Sequence, residues 1–223
     1  MSATEKHDQA LEVIKEMTAT FEDPMASFYA CAAEAQVRQN QGDEDGARVS
    51  MEKAEQLHRS LGRSSPPETS LELARAAASL GRTEQAEEIL RNAVANNHDN
   101  EELLSQAAAV YRETGISEDP TALVHSIREG VVGMNNKGVK LLSEGRFAEA
   151  ISLFEKAAES MQGNLIINLN AARALIMQME KQGVVSDLLG HARKYLERSK
   201  EIAPDDRRMK SALERYQKLS RLG

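Results

Sequence analysis

Residues Val131–Asn164 read VVGMNNKGVKLLSEGRFAEAISLFEKAAESMQGN. Small and apolar residues recur along this stretch at helical spacing, and Gly145 interrupts the run. Two amphipathic helices joined by a tight turn satisfy the pattern. Gly145 stands one residue past the first helix, where a left-handed backbone ends a helix at little cost. Gly138 and Ala150 are small, as expected where two helices cross at about 8–10 Å and their backbones approach. Leu141, Phe147 and Phe154 supply bulk to fill the space between this hairpin and the next.

Counted from Val131 as position 1, Gly138, Leu141, Gly145, Phe147, Ala150, Phe154 and Ala157 take positions 8, 11, 15, 17, 20, 24 and 27. This spacing resembles the tetratricopeptide repeat (TPR), a helix–turn–helix unit of roughly 34 residues. Two positions depart from it: Met134 stands near the usual tryptophan and Gln162 at the usual proline. The resemblance implies an all-α fold, a right-handed α-solenoid of TPR helix–turn–helix repeats with a C-terminal capping helix.

The same register extends in both directions. In residues 1–24, Ala10, Leu11, Ile14, Met17 and Phe21 recur at helical spacing. They echo a repeat's second helix without its first, as an orphan helix cut from a longer protein or a native cap would. The array then occupies residues 25–204. Its first repeat covers about 25–62, with helix A from Met25 to Gln41, a stop at Gly42, and helix B opening at Asp43 or Glu44. After the linker Arg63-Ser64-Ser65-Pro66-Pro67, a second repeat covers 67–98, with Thr83 placed to cap its second helix. The third, 101–130, is degenerate. No proline or polar turn lies between Ile127 and Val139, so its second helix is expected to run into the first helix of the 131–164 repeat, with a kink at the helix-weakening Gly130 and Gly133 as the alternative. The fifth repeat, 165–204, fits only with eight inserted residues, about one extra turn per helix. Gly183 is expected to end its first helix and Ser186 to start its second. Residues 205–223 form the cap, with Leu213, Tyr216 and Leu219 on one face.

Bulk composition narrows the function. The 223 residues carry a net charge of −7, with 28% charged and 4% aromatic residues. That balance argues against a nucleic-acid or membrane binder as a whole. The single cysteine, Cys31, excludes an internal disulfide and suits a reducing compartment, so the cytoplasm is the expected location. No apolar run reaches the roughly 18 residues of a membrane span. Residues 193–221 differ, carrying +5 while the rest carries −12. This basic segment reads as the solvated face of the cap, or as a place for an acidic partner or, more weakly, nucleic acid to bind.

No catalytic constellation is visible. His7, His58, His98, His125 and His191 lack metal-ligand spacing, and no phosphate loop or nucleophile elbow occurs. A non-enzymatic protein without cofactor is expected. What the TPR resemblance implies is a peptide-binding groove lined by the first helices of the repeats. The positions transfer to Gln36 and Asn40, then Arg75, then Gln106 and Arg112, then Asn135 and Asn136, then Asn170 and Arg173. Asn136 and Asn170 share position 6, where a carboxamide offers both a donor and an acceptor to a peptide backbone. Arg173 is suited to hold a carboxylate bidentately. The stretch NNKGVKLLSEGRFAEAISLFEKAAE followed by NLNAARALIMQM also resembles the repeat region of bacterial response regulators that join a CheY-like receiver to TPR repeats. A protein-interaction scaffold is the leading expectation. Self-association through the terminal helices, giving a homodimer, is the alternative.

Overall fold

A computed structural model describes residues 3–20, 23–62 and 65–222. Phe21, Arg63, Ser64 and the Met17 side chain, all invoked above, lie outside the described residues. Among those described there are eleven helices and no strand. The architecture is all-α, built of successive helical hairpins.

The chain folds as two compact units. The first comprises residues 1–94 and 100–124. It holds α1 (Ala3–Thr20), α2 (Pro24–Gln41), α3 (Glu44–Leu61), α4 (Glu68–Ser79), most of α5 (Thr83–Asn96), and α6 (Glu101–Thr114). Local chemistry fixes these ends. Asp23 caps α2, its carboxylate accepting from the Ala26 N–H at 3.0 Å, and Pro24 follows at the first turn, where a missing N–H costs nothing. Gly42 ends α2 with φ of 80°, a conformation that favours glycine. Asp43 then caps α3 through Gly46 at 2.9 Å. Thr83 is the first residue of α5 and not its cap: the Ala86 N–H bonds to the Arg82 carbonyl, which puts Arg82 in the capping place. The core joins Phe28, Ala32 and Ala35 of α2, Met51 and Ala54 of α3, Leu73, Ala76 and Ala77 of α4, and Ala86 of α5. Alanine at so many of these positions lets helices approach closely without large side chains.

Tyr111 of α6 is fully buried, and its hydroxyl has no hydrogen-bond partner. Burial pushes its pKa up to about 12. An unmet buried hydroxyl costs about 1–3 kcal/mol. Tyr111→Phe keeps the ring and removes that cost, so it is expected to raise stability by about 1 kcal/mol. A urea midpoint that falls in the variant contradicts this.

The second unit comprises residues 95–99 and 125–223. It holds most of α7 (Pro120–Ser143), then α8 (Phe147–Ser160), α9 (Leu165–Gln182), α10 (Ser186–Ile202) and α11 (Arg207–Leu219). As expected, α7 is one unbroken helix of 24 residues, Gly130 and Gly133 included. Gly183, with φ of 100°, ends α9, and α10 opens at Ser186. Helix α9 is the centre of the unit, packing against α8, α10 and α11. Ile167, Ala171, Ala172, Ala174, Leu175 and Ile176 are wholly buried. Phe154 is fully buried against them, and its ring occupies the space beside Gly138, where a Cβ would overlap it. Gly138 is therefore small to admit an aromatic ring, and not, as its register suggests, to let two backbones approach.

Candidate functional site

The candidate site residues fall into both units. In the first, Gln36 is half-buried and Asn40 exposed, one turn apart on α2. Arg75 of α4 is ion-paired with Glu72, and its Nε donates to Glu113 of α6 at 2.9 Å. Its charge is thus met inside the fold, a pairing that its place in the sequence does not reveal. Gln106 contacts Glu102 at 3.5 Å, and Arg112 is exposed.

In the second unit the structure brings two of the asparagines together. Asn170 Nδ2 donates to Asn135 Oδ1 at 2.7 Å. Asn170 is only 9% exposed, whereas Asn136 is open to solvent. The equivalence expected for Asn136 and Asn170 does not extend to their surroundings. Instead Asn170 fixes the carboxamide of Asn135, whose own amide N–H groups have no partner among the described residues. A held donor at Asn135 next to an open carboxamide at Asn136 is the arrangement that a peptide backbone can meet.

A polar cluster that sequence reasoning missed holds the start of α9. Asn164 caps α9, its Oδ1 accepting from the Ile167 N–H at 3.0 Å. Its Nδ2 donates to the Ala95 carbonyl at 2.8 Å and meets His98 Nδ1 at 3.0 Å. Asn164 and His98 are 1% and 7% exposed. Asn168, wholly buried, donates to the Met161, Gln162 and Asn164 carbonyls. Asn164 directly before an apolar run is a readable capping signal; its other partners, Ala95 in the last turn of α5 and His98 in the turn after it, are not.

A third cluster ties α8 to α10. The Glu159 carboxylate accepts from Lys194 at 2.7 Å and from Arg198 at 3.3 Å. Those bonds, Lys194 first, hold its pKa down to about 2. Arg198 Nη1 also donates to the Ala158 carbonyl at 3.1 Å. These bonds tie the end of α8 to α10 across α9.

Residues 141–181 match a family model described as tetratricopeptide repeat. The matched segment runs from the last turn of α7 through α8 and nearly all of α9, so it covers the hairpin bearing Phe154, Asn164, Asn170 and Arg173. With the eleven helices, the match places the chain in the all-α, helical-repeat class. TPR repeats in general mediate protein–protein interaction and are generally non-catalytic. No curated protein and no solved structure matches the chain. Among the described residues, no three His, Cys, Asp or Glu side chains gather as metal ligands, and no helix is long and apolar enough to cross a membrane.

Proposed function

We propose that this protein is a non-enzymatic scaffold that binds an extended or helical segment of a protein partner along the first helices of its repeats. In the second unit the binding face comprises Asn135, Asn136, Asn170 and Arg173; in the first, Gln36, Asn40, Arg75, Gln106 and Arg112 are the corresponding positions. The observation that carries this reading is the Asn170–Asn135 bond beside an open Asn136, on the first helices of the repeats the family match touches. A preset carboxamide loses little freedom when it binds, which favours affinity. The likeness of the second unit to receiver-linked repeats supports an output module of a bacterial signalling protein. The lone Cys31, half-buried and with its thiol pushed up by burial, fits a reducing compartment such as the cytoplasm.

The test compares wild type with Asn135→Ala plus Asn136→Ala in a crosslinking pull-down from the native cytoplasm. Neither side chain lies in the core; Asn170 loses its acceptor, at about 1–3 kcal/mol, and helicity is expected to stay unchanged. Partner capture is expected to fall by about tenfold or more, the loss of one to two charge-free hydrogen bonds. Capture that is unchanged in the double variant overturns the reading.

A further inference from the structure

Between α9 and α11 lies an open recess of about 310 Å³ lined by Arg173, Arg207, Arg208, Ser211, Ala212 and Arg215. Four of the six lining residues are arginines, and none is acidic or aromatic. Two of the four are already engaged. Arg215 grips Glu180 through Nε at 3.0 Å and Nη2 at 2.6 Å. Arg208 grips Asp206 in the same forked manner, with Nη2 at 2.7 Å. Arg173 and Arg207 are exposed and form no ion pair among the described residues. The recess therefore keeps two unmatched guanidinium groups next to two that show how this surface holds carboxylates.

The placement works against the stability of the cap. Arg207 and Arg208 stand in the first turn of α11, which contains no acid. Cations there oppose the helix dipole, which favours acids at that end. Asp206, the capping residue, offsets part of it, accepting from the Arg208 N–H at 2.7 Å, and Asp205 beside it is taken up by Lys210 at 2.9 Å. A helix selected solely as a solvated end cap gains nothing from this order of charges. An anionic ligand in the recess turns the arrangement to advantage, since it meets both free arginines and the positive end of α11 together.

We infer that this recess seats paired carboxylates from an acidic segment of the protein partner, with Arg173 and Arg207 each taking one side chain bidentately. The inference rests on the protein-partner reading above and names the chemistry of that partner. Two free guanidinium groups match two carboxylates, and arginine forks fit carboxylate geometry. Nucleic acid is the poorer match. Strand binding spreads cations along a groove and adds aromatic faces for the bases, whereas these cations converge on one recess without an aromatic ring.

The full chain is tested by fluorescence anisotropy with a short fluorescein-labelled oligo-glutamate peptide, its oligo-glutamine counterpart, a phosphoserine peptide and oligo-dT. The variants are Arg173→Ala with Arg207→Ala, and Asn135→Ala with Asn136→Ala. Wild type is expected to bind oligo-glutamate, more weakly as salt rises, and not oligo-glutamine. The arginine variant is expected to bind it at least about tenfold more weakly with unchanged circular dichroism. No binding of oligo-glutamate, equal binding by the arginine variant, or tighter arginine-dependent binding of oligo-dT or the phosphoserine peptide overturns the inference. The asparagine variant separates the two ideas. If it loses partner capture while the arginine variant keeps it, the recess inference falls and the scaffold reading stands. If oligo-glutamate binding needs the arginines while partner capture ignores the asparagines, the recess stands and the face of Asn135 and Asn136 does not.

Discussion

Gly138→Leu is expected to destabilise the second unit by about 3–5 kcal/mol, the cost of displacing a buried phenylalanine. A Cβ at Gly138 would overlap the Phe154 ring, with further ring atoms 2.7 Å away. Phe154 is fully buried among the side chains of α8 and α9, so it has nowhere to retreat. The conflict begins at the first side-chain atom, so even Gly138→Ala is expected to destabilise. That expectation sets two effects against each other. Helix propensity alone makes alanine better than glycine by about 1 kcal/mol inside a helix; overlap with a locked ring costs about 1–3 kcal/mol. Overpacking is expected to win. Urea denaturation of Gly138→Ala reads the sign directly, and a gain in stability means that the ring yields. Adding Phe154→Leu to Gly138→Ala is expected to recover part of the loss, because contacting sites are not additive. Hydrogen exchange should place the loss in α7, α8 and α9.

Much of the fold is legible in the sequence because its signals are local. Gly42, Gly115, Gly145 and Gly183 all adopt positive φ at helix ends, where the left-handed region suits glycine. The continuity of α7 follows from the lack of any proline or polar turn after Pro120, since Gly130, Gly133 and Gly138 weaken the helix without ending it. What stays hidden depends on distant partners. The register assigns Gly138 to a helix crossing, but the ring it admits comes from sixteen residues further on. Asn136 and Asn170 share a register position, yet Asn170 is nearly buried and bonded to Asn135, 35 residues away. Arg75 reads as a free groove cation and is paired with Glu113, 38 residues away. In the sequence His98 shows only that it lacks metal-ligand spacing, and it is buried against Asn164. A repeat register says which face a side chain occupies, not what has already met it there.

That buried pair carries the other large effect. Asn164→Leu is expected to cost about 3–7 kcal/mol, from three separate losses. The α9 cap at Ile167 goes, which costs about 1 kcal/mol. The Ala95 carbonyl and the His98 ring nitrogen lose their donor, each at about 1–3 kcal/mol while buried. Leucine also brings apolar bulk into a polar pocket, which offsets little because the orphaned groups remain. The same geometry makes stability depend on pH. His98 Nδ1 accepts from Asn164 Nδ2, so that nitrogen carries no proton in the fold. Burial lowers the imidazole pKa below its ordinary value, with Arg128 lowering it further and Asp99 opposing. The unfolded chain then takes up a proton before the folded one. The contribution of His98 is complete above the ordinary imidazole value of about 6.5 and is lost as pH falls below it. Burial lowers His58 likewise, so acid acts on both units. Urea midpoints measured from pH 8 to pH 5 are expected to fall for wild type and to fall less for His98→Gln, whose amide keeps an acceptor without taking a proton. Equal slopes would show that the Asn164–His98 bond carries none of the acid sensitivity, and Asn164→Leu at full stability would remove the cluster from the account of what holds α9 in place.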